Sequence, residues 1–117
     1  MKETRKYERK YLSYYLKVYD RSNDQLLGRL CNITPIGIMV LSENPIGTDV
    51  RMELRITFPH AIEGKEYLDI DARSVWVKKD VAPDFYDTGF ELLENSVQHK
   101  QYIEMLIQEF GVEENIS

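Results

Sequence analysis

Cysteine is almost absent from this chain. Cys31 stands alone among 117 residues, so no internal disulfide can form and one chain cannot build a multi-cysteine metal site. Without a partner, Cys31 reads as an inert, buried thiol. Long apolar runs are missing too. Ile36–Leu41 and Met105–Ile107 end at polar residues, far short of the ~18–20 residues that cross a bilayer, so no membrane insertion is expected. Met1-Lys2-Glu3-Thr4-Arg5 is charged and lacks the apolar stretch of a secretory signal, which makes the cytoplasm the expected compartment. The common enzyme signatures are also lacking: there is no glycine-rich phosphate loop, no histidine pair at zinc-ligand spacing and no nucleophile elbow. His60, beside Pro59, and His99 have nothing in the sequence that pairs them and read as structural or incidental. Asp69 and Asp71, two apart on a strand, would present two carboxylates on one face for acid–base work. A solvated face beside Arg73 is the simpler account. The expectation is a non-enzyme with no catalytic residue, metal or cofactor.

Basic excess is missing as well. The net charge is −5, which argues against a binder of nucleic-acid polymer, since such proteins present surplus Lys and Arg to the phosphates. The average conceals an asymmetry. Lys2, Arg5, Lys6, Arg9 and Lys10 oppose only Glu3 and Glu8, a local +3 that leaves −8 on the remainder. A locally basic segment on an acidic body suits a compact anion; a solvated basic leader is the bland alternative.

What is present in quantity is strand-forming sequence. From Leu12 onward, runs of Tyr, Val, Ile, Thr and Leu alternate with turn signals. Six strands are predicted: Leu12–Tyr19, Gln25–Ile33, Gly37–Ser42, Asp49–Phe58, Glu66–Lys78 and Asp84–Leu93. The fourth alternates most cleanly, with Val50, Met52, Leu54, Ile56 and Phe58 on the face expected to be core. Pro59 through Lys65 reads as a loop. Asn95 or Ser96 then caps a helix whose apolar stripe is His99, Ile103, Leu106, Ile107 and Phe110, stopped at Gly111. The 43% hydrophobic content and the length fit one core. The expected architecture is all-β with a C-terminal helix: a six-stranded antiparallel β-barrel over 12–111, a basic leader over 1–11 and a frayed 112–117.

Two segments carry recognition chemistry. Arg5-Lys6-Tyr7-Glu8-Arg9 places two guanidiniums four residues apart before the first strand, and each is a planar fork able to grip a phosphate or the O6 and N7 acceptors of guanine. Asn32-Ile33-Thr34-Pro35-Ile36-Gly37 puts an amide, a hydroxyl and a glycine at a strand break, where the first two can hydrogen-bond a base edge and the glycine admits close backbone approach. In order and spacing these segments resemble the PilZ family signature, RxxxR followed downstream by D/N-x-S-x-x-G. Gly28-Arg29-Leu30, Gly37-Ile38-Met39-Val40-Leu41, Ala72-Arg73-Ser74-Val75-Trp76 and Tyr86-Asp87-Thr88-Gly89-Phe90 resemble the family as well, so that the likeness covers about residues 5–110.

The resemblance implies a barrel that binds cyclic di-GMP through Arg5, Arg9, Asn32, Thr34 and Gly37 and passes the signal to an unidentified protein effector. Thr34 replaces the usual serine, keeping the hydroxyl but restricting χ1, and Pro35 removes a backbone donor from the turn. Thr4 stands where some members carry a further arginine, which points to one ligand per chain. The lone Trp76 reads as a packing residue that could also stack on a base. Two other readings compete: a PilZ-type interaction module of pilus or motility machinery without nucleotide binding, and an OB-like binder of single strands, which the acidic body disfavours.

Overall fold

The computed structural model describes residues 10–94 and 96–112. Along them run β1 (Lys10–Asp20), β2 (Gln25–Thr34), β3 (Gly37–Ser42), β4 (Arg51–Ile62), β5 (Lys65–Lys79), β6 (Tyr86–Leu92), α1 (Val97–Phe110) and the two-residue β7 (Gly111–Val112). The first six strands form an antiparallel barrel in the order β2-β3-β6-β5-β4-β1, closed by pairing of β1 with β2. Among the described residues, closure leaves no long unpaired edge.

Period-2 alternation sets what faces inward. In β5, Leu68, Ile70 and Ala72 are buried while Asp69, Asp71 and Arg73 face out. In β3, Ile38 and Val40 are buried between the half-buried Gly37, Met39 and Leu41. Leu54 and Ile56 of β4 are fully buried, and truncating either to alanine would cost about 2–5 kcal/mol. One end of the barrel is closed by α1, which buries His99, Ile103, Leu106 and Phe110. Ser96 is the N-cap, its Oγ accepting from the His99 amide at 3.1 Å. The Tyr102 hydroxyl donates to the Ile62 carbonyl at 3.0 Å, and Phe110 packs on Phe58 with ring centroids 5.8 Å apart.

Several boundaries differ from the sequence reading, each because of cross-strand pairing. β1 begins at Lys10, since Lys10 and Tyr11 pair with Ile33 and Asn32; from there to the Leu16–Leu30 pair five steps of β1 match two of β2, a wide bulge. Val50, expected on the core face, is 41% exposed. It precedes β4, and its amide donates to the Ser74 hydroxyl at 3.0 Å. The expected loop at Pro59 is instead the irregular end of β4: the register shifts between Thr57 and Ile62, where a proline deprives no ladder of a donor. Glu63 and Gly64, at φ 52° and 78°, then make a two-residue hairpin turn.

Candidate functional site

The register gathers the second sequence motif on the outer wall of the barrel. Asn32 lies opposite Met39, Met39 opposite Gly89, and Gly89 opposite Trp76, so one transverse row crosses β2, β3, β6 and β5. Directly opposed residues share a face. Because Ile38 and Val40 point into the core, this row points out. Asn32 is only 6% exposed, and its Nδ2 approaches the Met39 sulfur at 3.9 Å.

Thr34 organises the turn between β2 and β3. Its Oγ1 accepts from the amides of Ile36 at 3.3 Å and Gly37 at 3.1 Å and donates to the Gly37 carbonyl at 3.3 Å. This is local side-chain capping of a tight turn, and Pro35 occupies the turn position where a missing N–H costs nothing. The Ile36 carbonyl in turn accepts from the Leu92 amide at 3.0 Å, tying the turn to the end of β6. Gly37 is needed for packing: a Cβ there would stand 2.9 Å from the Phe90 carbonyl oxygen. Asn32, Thr34 and Gly37 are thus brought together within one hairpin. Arg5 and Arg9 lie outside the described residues.

The adjacent row, Arg29-Leu41-Asp87-Lys78, sets the local charge. Burial, together with the hydrogen-bonded carboxyl of Asp80, pushes the Asp87 carboxyl up to about 6, while the Ala82 amide and that same bond hold Asp80 below the usual range. The two carboxyls therefore share a proton readily. Burial, reinforced by Asp87 and Asp80, raises the Cys31 thiol to about 11, which makes it unreactive at neutral pH. Cys31 is half-buried, at the irregularity between Leu30 and Asn32.

Other candidates resolve into structure. Asp69 is held by Arg55 at 2.8 and 3.1 Å, and Asp71 by Arg21 at 3.0 Å and Arg51 at 3.2 Å; Arg73 faces Glu91 instead. His60 meets Glu109 at 2.8 Å, and His99 is buried on the inner face of α1. Among the described residues no group of three His, Cys, Asp or Glu side chains is placed to hold a metal ion, and no helix is long and apolar enough to cross a membrane. Sequence reasoning missed Met39 as the neighbour of Asn32, Gly89 as the next residue of that row, and Asp87 in the row beside it. Gly89 carried the available signal, since an isolated glycine in a strand marks close approach by another group.

The barrel has known counterparts. It superposes on the PilZ domain, with c-di-GMP, of YcgR from Escherichia coli with a TM-score of 0.70 at 15% identity, over 92% of this chain and 91% of that one. The chain has the PilZ fold. Bacillus subtilis inhibitor of motility (MotI/DgrA) matches with a TM-score of 0.68 at 17% identity, over 92% of this chain and 52% of that one, so the present chain spans about half of that protein. At such identities the likeness concerns the fold. No family model and no curated protein matches the sequence.

Proposed function

We propose that this chain is a cyclic di-GMP receptor that works as an adaptor, its ligand held against the outer wall at the β2–β3 turn by Arg5, Arg9, Asn32 and the Thr34–Gly37 turn. The observation that carries this reading is the pairing of Lys10 with Ile33. The chain enters β1 at Lys10, beside Ile33 and hence beside the Asn32-to-Gly37 segment; this supports a reading in which the two halves of the signature, more than twenty residues apart in sequence, act on one ligand. Guanidinium forks suit both the phosphates and the Hoogsteen edge of guanine, and the Asn32 amide can take a base edge. Thr34 acts here chiefly by fixing the turn, a task its serine-like hydroxyl performs despite the added methyl. The bound state of the PilZ domain of YcgR supplies the precedent for the ligand.

In this reading the ligand orders the arginine segment against the barrel, and the altered surface is read by a protein effector. The competing reading is a contact-only module. Calorimetric titration of the purified chain with cyclic di-GMP separates them: saturable heat at micromolar or lower concentration is expected, and a flat trace at high protein concentration would leave the contact-only module standing.

A further inference from the structure

β2 and β3 do not stay together over their whole length. Their ladder runs from the Thr34–Gly37 turn only as far as the Arg29–Leu41 pair, while Gln25, Leu26 and Gly28 pair with β1 on the other side. Gly28 marks the point of parting: a Cβ on it would collide with the Leu41 carbonyl oxygen, and beyond it a slot opens between β2 and the chain that follows Leu41. The slot encloses about 250 Å³. Leu26, Leu27, Leu41 and Phe85 give it apolar walls, and the exposed Arg29 and Glu43 line it too. Leu26 is 56% exposed, whereas Leu27 packs against the core. Both lips are fixed. The Ser42 hydroxyl donates to the Asn44 carbonyl at 2.7 Å, and Phe85 is held by its backbone, its carbonyl accepting from the Asp80 amide at 2.9 Å and its amide donating to the Ala82 carbonyl at 3.1 Å. A cavity of about 150 Å³ already takes a benzene ring, so this preformed slot has room for one large apolar side chain.

Acidic side chains surround the slot. The three strand connections at this end of the barrel, residues 21–24, 43–50 and 80–85, carry Asp24, Glu43, Asp49, Asp80 and Asp84. Arg21 is their only basic residue, and its guanidinium is committed to Asp71 at 3.0 Å and to the Leu54 carbonyl at 3.2 Å. Lys78 and Lys79, on the adjoining strand, stand over the rings of Trp76 and Tyr86. We infer that the slot docks a short extended peptide of a protein effector, one that carries a large apolar residue between basic ones. The apolar side chain enters between Leu26 and Phe85, and its basic neighbours meet Glu43 and the exposed Asp84, as complementary charge requires. An extended backbone fits because, among the described residues, neither β2 before Arg29 nor the chain after Leu41 has a ladder partner across the gap. The inference rests on the adaptor reading, which requires a surface for the effector. It places that surface at the far end of the barrel from the Thr34–Gly37 turn, so nucleotide and peptide do not compete, and the same two strands form both places.

The probe is a short, fluorophore-labelled peptide of alternating lysine and leucine, titrated with the purified chain and followed by anisotropy in the absence of nucleotide. Saturable binding is expected, and it should weaken by about tenfold or more when serine replaces the leucines or glutamate the lysines. Leu26→Ser removes the apolar lip and Glu43→Lys reverses the charge beside it; each should weaken binding severalfold to about tenfold. Both positions are exposed, so both variants should melt like the parent, and if one melts far below it the other decides. Glu104→Lys makes the same change of charge on the exposed face of α1, at the opposite end of the barrel, and should bind like the parent. Equal losses in Glu104→Lys and Glu43→Lys would reveal diffuse attraction to an acidic chain and overturn the slot. Parent-like binding by a folded Leu26→Ser, equal binding of the serine peptide, or no saturation with the lysine–leucine peptide would overturn it too. The receptor reading fails separately. Peptide binding beside a flat calorimetric trace with cyclic di-GMP supports the slot as the contact surface of a contact-only module, whereas nucleotide heat without peptide binding removes the slot and leaves the receptor.

Discussion

Two patches on the outer wall use polar side chains in opposite ways. Across β4 and β5, Arg21, Arg51 and Arg55 are matched to Asp69 and Asp71, Arg55 also lies 4.0 Å above the Tyr67 ring, and Arg21 further donates to the Leu54 carbonyl at 3.2 Å. Those groups satisfy one another. Across β2, β3 and β6 the row is an amide against a thioether, a bare glycine and a flat indole. That second patch buries little charge of its own and offers faces and edges that a ligand can use. A self-neutralised network is a structural solution, whereas an undersatisfied, apolar-floored row is the kind of surface that the proposed receptor would use for recognition.

The comparison breaks most sharply at the arginines. Arg9→Ala should lower affinity for cyclic di-GMP about tenfold to more than a hundredfold, because a hydrogen bond to a charged group contributes ~1.5–3 kcal/mol, and Arg5→Ala should behave alike. Arg9→Lys should recover little, since an ammonium cannot present two parallel donors. Arg55→Ala, on the self-neutralised face, should leave affinity unchanged. Calorimetry and thermal melts of the four variants check this. Parent-like binding by the folded Arg5 and Arg9 variants would remove the proposed site, and unfolding would make the leader structural. In the same reading, tryptic cleavage after Arg5 and Arg9 should slow when ligand is bound, and equal rates would count against ordering.

A smaller effect is expected at Gly37→Ala. The new Cβ would press on the Phe90 carbonyl oxygen from 2.9 Å, and relief requires β3 and β6 to part slightly, at about 1–3 kcal/mol. Thr34 should sharpen the same point from the other side. Thr34→Ser keeps all three turn hydrogen bonds and should bind like the parent, while Thr34→Val removes them and should weaken both binding and stability. If Thr34→Val binds normally, the hydroxyl has no role in shaping the site.

The barrel was legible because alternation is local: Leu54 and Ile56, or Leu68 and Ile70, announce a half-buried strand without reference to anything distant. The caps and turns of α1 and the Thr34–Gly37 hairpin were readable for the same reason. What escaped depends on register. Lys10 joins β1 because of Ile33, Pro59 is tolerated in β4 because no ladder runs there, and Gly111–Val112 form a strand only because Tyr11 and Leu12 lie beside them. The candidate site divides the same way. Asn32, Thr34 and Gly37 were found as a motif and Trp76 as an open question between packing and stacking; the pairing with Gly89 gives it a packing role and still leaves one ring face outward. Met39 and Asp87 were legible only as members of strand segments that resemble the family, since nothing in a linear reading places them beside Asn32 or Asp80.

The smallest expected effect comes from the carboxyl pair of Asp87 and Asp80, Asp87 lying in the row next to Met39 and Gly89. Asp87 has its folded value raised to about 6 by burial and by Asp80, so between an unfolded value of about 4 and that folded value the folded chain holds a proton that the unfolded chain releases. Stability from this group is therefore greatest below the unfolded value and falls as pH rises through the folded one. Asp87→Asn keeps a donor for Asp80 without the charge, and should raise the melting temperature at neutral pH while flattening its dependence across that window. Binding should follow the same proton. A dianionic ligand meets two carboxylates at neutral pH and one below about 6, at a distance where salt screens part of the repulsion, so parent affinity should improve severalfold at most from about pH 7.5 to about pH 5.5. The Asp87→Asn variant presents one carboxylate at both, and its affinity at the higher pH should match the parent's at the lower. Calorimetry of parent and variant at the two values, in one buffer salt, tests the assignment. A parent whose affinity and melting temperature ignore that interval, or a variant that keeps the parent's slope, would show that the proton resides elsewhere.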